Sequence, residues 1–180
     1  RVLTPGGMWV IAGPPKVGKS DLMLNLFAHA AAGIDFLGFK FPRPLRVFYI
    51  QSEVEKPYLD ERLAIILKGQ REKLDRGLDN LHMTDRFKFR FDETGVETII
   101  QEIKNGFPDP DKQVDIIAID PFRNVYQSGL SNGGDINEDL LEFFINRLEL
   151  ILTDTHPRAG MIVVHHTNKI TGKSLSEDPM

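Results

Sequence analysis

The 180-residue sequence predicts an α/β fold in which a mostly parallel sheet is flanked by helices on both faces. Short, nearly continuous apolar runs, typical of strands covered on both faces, alternate with longer amphipathic segments. Gly- and Pro-rich turns separate the two kinds of segment. The length predicts a single domain over residues 1–180. Because the chain begins at Arg1 and stops in a polar stretch at Met180, we expect this domain to be truncated at its C-terminus.

The first half of the chain predicts two strand-and-helix units. Residues 8–12 form a short apolar run and predict a buried strand, and a helix is predicted from Ser20 to Ala32, with Gly33 as its stop. A second strand is predicted over 45–53, followed by a helix in "KPYLDERLAIILKG" that has a proline in its first turn. The inner face of the first helix is predicted to carry Leu22, Leu26, Phe27 and Ala30.

The second half repeats this alternation. The charged segment "QREKLDRGLDN" predicts a short surface helix or a loop, and "LHMT" and "FKFRF" predict short strands. "ETGVETIIQEIKNG" predicts a helix closed by Gly106, and "QVDIIAIDP" predicts a buried strand. A long helix is predicted from about Ile136 to Asp154, before a last buried strand in "GMIVVHH".

Composition excludes several classes of protein. The chain has no Cys, which excludes disulfides, iron–sulfur clusters, thiolate zinc sites and cysteine nucleophiles. Its net charge of −4 argues against a protein that coats nucleic acid electrostatically. No apolar run approaches the roughly 18 residues of a membrane helix, and no signal segment begins the chain. We therefore expect a cytoplasmic protein without a membrane partner.

One motif carries specific chemistry. Residues 13–20, "GPPKVGKS", fit the phosphate-binding pattern G-x-x-x-x-G-K-[ST], and they lie between a predicted strand and a predicted helix, as the mechanism requires. Backbone N–H groups of the loop cradle phosphate, Lys19 reaches the β- and γ-phosphates, and Ser20 ligates Mg²⁺. The predicted cofactors are ATP and Mg²⁺. The predicted nucleotide-binding residues are Gly13, Pro14, Pro15, Lys16, Val17, Gly18, Lys19, Ser20 and Asp21.

Acidic residues complete the predicted site. Asp120 follows a buried strand and is predicted to hold Mg²⁺ together with Ser20, whereas Asp115, at the opposite end of that strand, is predicted to be a solvated cap. Pro121 stands where many motor ATPases place a catalytic Glu. We therefore predict Glu53, at the end of the second strand, as the base that activates water; Glu55 is the alternative.

Four segments together resemble the RecA-like ATPases, and most closely the RepA-type hexameric replicative helicases of plasmids and phages. They are "PGGMWVIAGPPKVGKS", "VFYIQSE", "IIAIDPFRNV" and "MIVVHHTNK", and they occur in the family's order over nearly the whole chain. The resemblance implies a RecA-like core and Glu53 as the catalytic base. It also implies a hexameric ring with nucleotide between subunits, and an arginine finger beyond the end of this sequence.

The paired histidines gain a role from the same resemblance. His166 matches the position that senses the γ-phosphate in RecA- and DnaB-like relatives, and a neutral imidazole can donate one hydrogen bond to a phosphate oxygen. The alternative is a buried structural His beside a surface His. Arg62, Arg123 and Tyr126 remain open between nucleotide contacts, subunit contacts and structural roles, and Phe122 between flanking a base and packing in the core.

The sequence thus predicts an ATP hydrolase that acts as a RepA- or DnaB-type DNA helicase or replication ATPase. Two loops, 127–135 and the segment from Lys169, are predicted to face single-stranded DNA in the channel of the ring. The alternative is a nucleotide-switched, KaiC-like regulatory ATPase that does not translocate. A small-molecule kinase is disfavoured because no Arg-rich lid segment is present, and no Asn-Lys-x-Asp motif indicates GTP.

Overall fold

The computed structural model describes residues 3–85, 92–122 and 144–167. Several predictions lie outside these ranges: the strand "FKFRF", the loop 127–135, the first part of the helix from Ile136, the segment from Lys169, and the positions of Arg123 and Tyr126. Within the described ranges, no helix is long and apolar enough to cross a membrane.

Five strands form one sheet in the described part of the chain. They are β1 (Met8–Gly13), β2 (Val47–Gln51), β3 (Leu81–Met83), β4 (Ile116–Asp120) and β5 (Gly160–His166). Their order across the sheet is β1-β5-β4-β2-β3, and each pairing between neighbours is parallel. The predicted α/β fold with a parallel sheet is confirmed. Its carboxyl edge brings the ends of β1, β5, β4 and β2 side by side.

Helices connect the strands. They are α1 (Lys19–Ala32), α2 (Lys56–Leu67), α3 (Arg71–Leu74), which a 3₁₀ helix (Asp75–Asn80) follows, α4 (Glu93–Gly106), and α5 (Glu149–Thr155), which a π-helical turn (Phe144–Leu148) precedes. Asp92 caps α4, since its side chain accepts a hydrogen bond from the Gly95 N–H at 2.9 Å. Gly106 is still helical, so α4 ends one residue later than predicted.

Two apolar clusters cover the two faces of the sheet. On one face α1 packs over β2, β4 and β5, through Phe27, Tyr49, Ala118, Ile162 and Val164 among others. On the other face α4 and α5 pack over the same strands, through Ile99, Ile117, Ile151 and Val163 among others. Alternate residues of each strand therefore belong to opposite clusters, as strand geometry requires. Asp120 and His166 consequently lie on the α1 face.

Helix α1 ends where the sequence predicts. Gly33 has the left-handed φ of 69°, and a Cβ at that position would lie 2.7 Å from the backbone nitrogen of Pro44, so only glycine fits. The predicted burial of Leu22 is wrong, because its side chain is 42% exposed. Leu26 and Ala30 on the same stripe are buried, so only the first turn of the stripe is open.

The first two strands differ from their predicted form. β1 is not a buried strand: its residues alternate between exposed and half-buried, and Met8 and Val10 are 40% and 49% exposed. The reason is its position at the edge of the described sheet, where one face lacks a covering helix among the described residues. β2 ends at Gln51, so Glu53 lies two residues beyond the strand.

Asp115 is not a solvated cap. Its carboxylate accepts hydrogen bonds from Arg43 Nη1 and Nη2 at 3.0 and 2.7 Å and from the Arg46 backbone N–H at 2.8 Å, and its side chain is only 11% exposed. Burial raises the pKa of Asp115, but the hydrogen bonds from Arg43 and Arg46 and their charges outweigh it and hold that pKa below its ordinary value. The residue ties the connector before β2 to the start of β4.

Candidate nucleotide site

The phosphate loop joins β1 to α1 at the carboxyl edge of the sheet. Residues 14–18 are exposed, while Lys19 at the start of α1 is 8% exposed. Lys16 and Gly18 both have left-handed φ angles, of 64° and 82°. Left-handed residues next to right-handed ones turn successive N–H groups toward one concave side, which is how anion-binding nests form. The loop backbone therefore has the alternation of hands that forms such a nest.

Lys19 is folded back over its own loop. Its Nζ donates hydrogen bonds to the carbonyl oxygens of Gly13 and Pro14, at 2.8 and 2.6 Å. A lysine ammonium has three donors, so Lys19 can exchange its two carbonyl partners for phosphate oxygens while the ammonium stays beside the loop. The Lys19 ammonium thus lies against the first two residues of the loop, and its contact with phosphate stays a prediction.

Asp120 is buried on the α1 face, at the end of β4. Its side chain is 1% exposed, and its Oδ2 accepts a hydrogen bond from the hydroxyl of Tyr49 at 2.7 Å. Its Oδ1 is buried and has no hydrogen-bond partner among the described residues. Burial, and then the charge of Asp120, raise the pKa of Tyr49 well above its ordinary value, so the phenol remains a donor at neutral pH.

Glu53 is held by the turn that follows β2. The side-chain Oε1 of the buried Gln51 accepts hydrogen bonds from the backbone N–H groups of Glu53 and Val54, at 2.5 and 2.9 Å. The N–H of Ser52 donates to the backbone carbonyl of Asp120 at 3.2 Å. Because Gln51 and Asp120 are also paired in the β2–β4 ladder, the turn that carries Glu53 is fixed to the strand that carries Asp120.

The two histidines at the end of β5 diverge, as the strand alternation predicts. His166 lies beside Glu53, with its Nε2 3.9 Å from the Glu53 Oε1, and their side chains are 16% and 46% exposed. His165 lies on the other face, where its ring meets Phe122 edge-on at a centroid distance of 6.0 Å. Gly13 is paired with His166 in the β1–β5 ladder. His166 therefore lies between the start of the phosphate loop and the predicted base.

The remaining predicted residues occupy less central positions. Ser20 is half-buried in the first turn of α1, and Asp21 is exposed and pairs with Arg62 of α2 at 3.3 Å. Arg62 thus has a structural partner in this structure. Phe122 is 2% exposed in the cluster under α4 and α5, so it does not flank a base.

The donor set fits Mg²⁺. Asp120 offers one carboxylate oxygen that is buried and lacks a hydrogen-bond partner, and Ser20 offers a hydroxyl. Hard oxygen ligands of this kind, few in number, suit a cation that keeps several waters and takes the rest of its ligands from phosphate. In the described ranges no cluster of three or more His, Asp or Glu side chains forms a separate metal cage.

One described cavity lies away from the phosphate loop. A cavity of about 640 Å³ lies at the amino ends of β1, β4 and β5, under the connector before β2, and Trp9, Phe39 and Leu45 are among its lining residues. It shares no residue with the phosphate loop. The phosphate loop lies at the opposite, carboxyl edge of the sheet.

Two supporting residues were missed in the sequence. Tyr49 and Gln51 are separated by one residue on β2, and both face α1, where they hold Asp120 and the Glu53 turn. The signal was present: Gln51 is a polar residue inside an apolar run that ends just before a predicted catalytic acid. The apolar pattern predicts the strand but not the partners of its polar residues, because those partners lie on other strands and in the following turn.

Comparison with known proteins identifies the fold. A family model described as an AAA domain matches residues 1–172. None of the curated proteins matches the chain. Among solved structures, the crystal structure of the RadB recombinase is similar, with 16% identity and a TM-score of 0.57 over 95% of this chain and 67% of that chain. At this identity the likeness shows the fold alone, which is a RecA-like core.

Proposed function

Since the chain belongs to the AAA domain family and has the RecA-like ATPase core, we propose that it hydrolyses ATP with Mg²⁺ in a DNA-replication motor of the RepA or DnaB type. The observation that carries the proposal is the approach of His166 to Glu53, at 3.9 Å, beside a phosphate loop and a buried carboxylate. A phosphate loop alone would serve many reactions. A base and a γ-phosphate sensor brought this near to each other support hydrolysis over nucleotide binding alone.

The proposed mechanism gives each residue one task. Backbone N–H groups of residues 17–20 and the N-terminus of α1 bind the β-phosphate, and Lys19 exchanges its two carbonyl partners for phosphate oxygens. Bound Mg²⁺ would neutralise phosphate charge between Ser20 and Asp120. Glu53 orients the attacking water and accepts its proton. His166 donates a hydrogen bond to the γ-phosphate. When hydrolysis releases this phosphate, the hydrogen bond is lost and the residues beyond β5 change position.

Coupling to single-stranded DNA rests on the four-segment resemblance. In the proposal, subunits form a hexameric ring with nucleotide between them, and the segment that follows His166 responds to the γ-phosphate. Thr167 already donates its N–H to the Gly13 carbonyl at 3.1 Å, so the exit from β5 is tied to the start of the phosphate loop. This bond supports coupling between the nucleotide and that segment. The RadB likeness is one of fold and does not choose between motor and recombinase.

The test is steady-state ATPase activity of the full-length protein with and without single-stranded DNA, for the wild type, Glu53→Gln and Glu55→Gln. Glu55→Gln is the matched control, since it makes the same change two residues away. We expect DNA to raise turnover several-fold and Glu53→Gln to bind ATP but lose at least about a hundredfold in kcat. Equal losses in the two variants, or a loss only in Glu55→Gln, would contradict the choice of base.

The alternative function is a nucleotide-switched regulatory ATPase. It predicts turnover that ignores DNA, together with oligomerisation that depends on the nucleotide. Gel filtration with ATP, ADP and no nucleotide, beside the ATPase assay, separates the two. If DNA has no effect while Glu53→Gln is inactive, hydrolysis stands and the motor role is wrong.

A further inference from the structure

Tyr49 touches the predicted metal ligand directly. Its ring is 1% exposed and packs on Phe27 of α1, with centroids 5.1 Å apart. Its hydroxyl is the only described hydrogen-bond partner of the Asp120 carboxylate, at 2.7 Å. The ring therefore belongs to the apolar core, and the hydroxyl belongs to the site.

The two oxygens of Asp120 are made unequal by this contact. Oδ2 is occupied by the phenol, and Oδ1 is buried without a partner. A buried carboxylate left with one unsatisfied oxygen is costly, so such an arrangement is expected where a cation or its water completes the set. The bond to Oδ2 fixes the rotation of the carboxylate and so decides where Oδ1 lies.

We propose that Tyr49 is a positioning residue that holds the Asp120 carboxylate in the orientation that binds the Mg²⁺ of the nucleotide complex. Partners of metal ligands commonly act in this way, by fixing the ligand before the metal arrives. Here the positioning residue is itself fixed by Phe27, on the helix that begins with the phosphate-binding lysine. Packing of α1 on the sheet thereby fixes the positions of both the phosphate loop and the Asp120 carboxylate. The inference rests on the proposed Mg²⁺-nucleotide site.

Tyr49→Phe removes the hydroxyl and keeps the ring. Affinity for a fluorescent ADP analogue is measured in EDTA and across a Mg²⁺ titration, and Mn²⁺ binding to the ADP complex is followed by electron paramagnetic resonance. We expect unchanged affinity in EDTA and a rise of about tenfold in the Mg²⁺ concentration for half-maximal effect. Tyr58→Phe is the matched control, because Tyr58 is 60% exposed on α2, and it should behave as wild type.

The outcomes distinguish an error in the proposed Mg²⁺-nucleotide site from an error in the role of Tyr49. If wild-type affinity does not depend on Mg²⁺, the proposed site is wrong. If it does, and Tyr49→Phe follows the wild-type Mg²⁺ curve or binds the metal more tightly, Tyr49 is a core residue and the inference is overturned.

A double variant tests whether Tyr49 acts through Asp120, and unchanged ADP affinity in EDTA is the check that each variant is folded. In an Asp120→Asn background the hydroxyl has no carboxylate to position, so adding Tyr49→Phe should leave the Mg²⁺ dependence of Asp120→Asn unchanged. An additional loss in the double variant would show that Tyr49 acts by another route and would overturn the inference.

Discussion

Gln51 fixes the backbone of the turn that carries the predicted base, Glu53, through two hydrogen bonds to its side chain. Its Oε1 accepts both N–H groups of the turn, while its own backbone N–H is bound by the Thr84 hydroxyl at 2.9 Å. Gln51 is 1% exposed, so its side-chain oxygen takes these two N–H groups as partners in place of water. The position of Glu53 therefore depends on a residue that has no acid–base role in the proposed reaction.

Gln51→Leu tests this dependence. Leucine has a similar volume but no acceptor, so the turn loses both bonds, and kcat should fall about ten- to a hundredfold while nucleotide affinity changes little. The measurement is ATPase kinetics beside equilibrium nucleotide binding. Gln70→Leu, at an exposed glutamine before α3, is the control. An unchanged kcat in Gln51→Leu would show that Glu53 keeps its place without these bonds.

Asp115 offers a second prediction at the scale of one residue, this time for stability. Asp115→Asn removes the charge that Arg43 and Arg46 share in a mostly buried position, and it should lower the free energy of unfolding by about 2 kcal/mol at pH 7. Asp60→Asn breaks an exposed pair with Lys56 and should cost less than about 1 kcal/mol. Urea unfolding of both variants gives the comparison.

The stability difference between wild type and Asp115→Asn should depend on pH, with a sign that the pKa of Asp115 determines. The folded-state pKa of Asp115 is depressed, so its stabilising contribution is present above the unfolded value of about 3.9. The contribution is lost as the pH falls from there through the folded pKa. The gap between wild type and Asp115→Asn should accordingly narrow in acid. A constant gap between pH 7 and pH 3 would mean that shape rather than charge carries the effect.

Among the elements, the 3₁₀ helix Asp75–Asn80 packs directly against the end of α1. A Cβ on Gly77 would lie 2.3 Å from the Cα of Ala32 and 2.5 Å from the carbonyl carbon of Ala31. Those atoms are backbone and cannot rotate away. The segment predicted as a surface helix or loop is therefore partly a packing element, with Leu74 buried beside it.

Gly77→Ala should separate the 3₁₀ helix from α1 and lower the free energy of unfolding by about 1–3 kcal/mol. Gly69→Ala is the matched control, because a Cβ there meets nothing within 4 Å, and it should stay within about 0.5 kcal/mol of the wild type. Thermal and urea unfolding check both. Equal stability of the two variants would show that the contact relaxes without cost.

The elements that the sequence predicted well are those with a local signal. Gly33 stops α1, and the apolar runs at 116–120 and 160–166 are strands. The predictions for Leu22, β1 and Asp115 were wrong because the burial of these residues depends on partners that are distant in sequence. No local pattern says that Arg43 meets Asp115, or that β1 lies at the edge of the described sheet.

At the scale of the whole molecule, nucleotide binding should stabilise the fold. At a ligand concentration one hundred times Kd the gain is about 2.7 kcal/mol, which for a chain of this size raises Tm by about 5–10 °C. Thermal unfolding with Mg²⁺ and ADP measures the shift. Lys19→Ala should abolish it, since that variant removes the cation at the mouth of the loop. A full shift in Lys19→Ala would place the nucleotide elsewhere.

The position of β5 has a consequence for biosynthesis. β5 leaves the ribosome last among the described strands, yet it lies between β1 and β4, and it is the only described strand that pairs with β1. Until Gly160–His166 is made, β1 has no strand to pair with in the described sheet, and two apolar strand edges stay open to wrong pairing. If the proposed nucleotide site is right, nascent chains that end before His166 should therefore gain no stability from ATP.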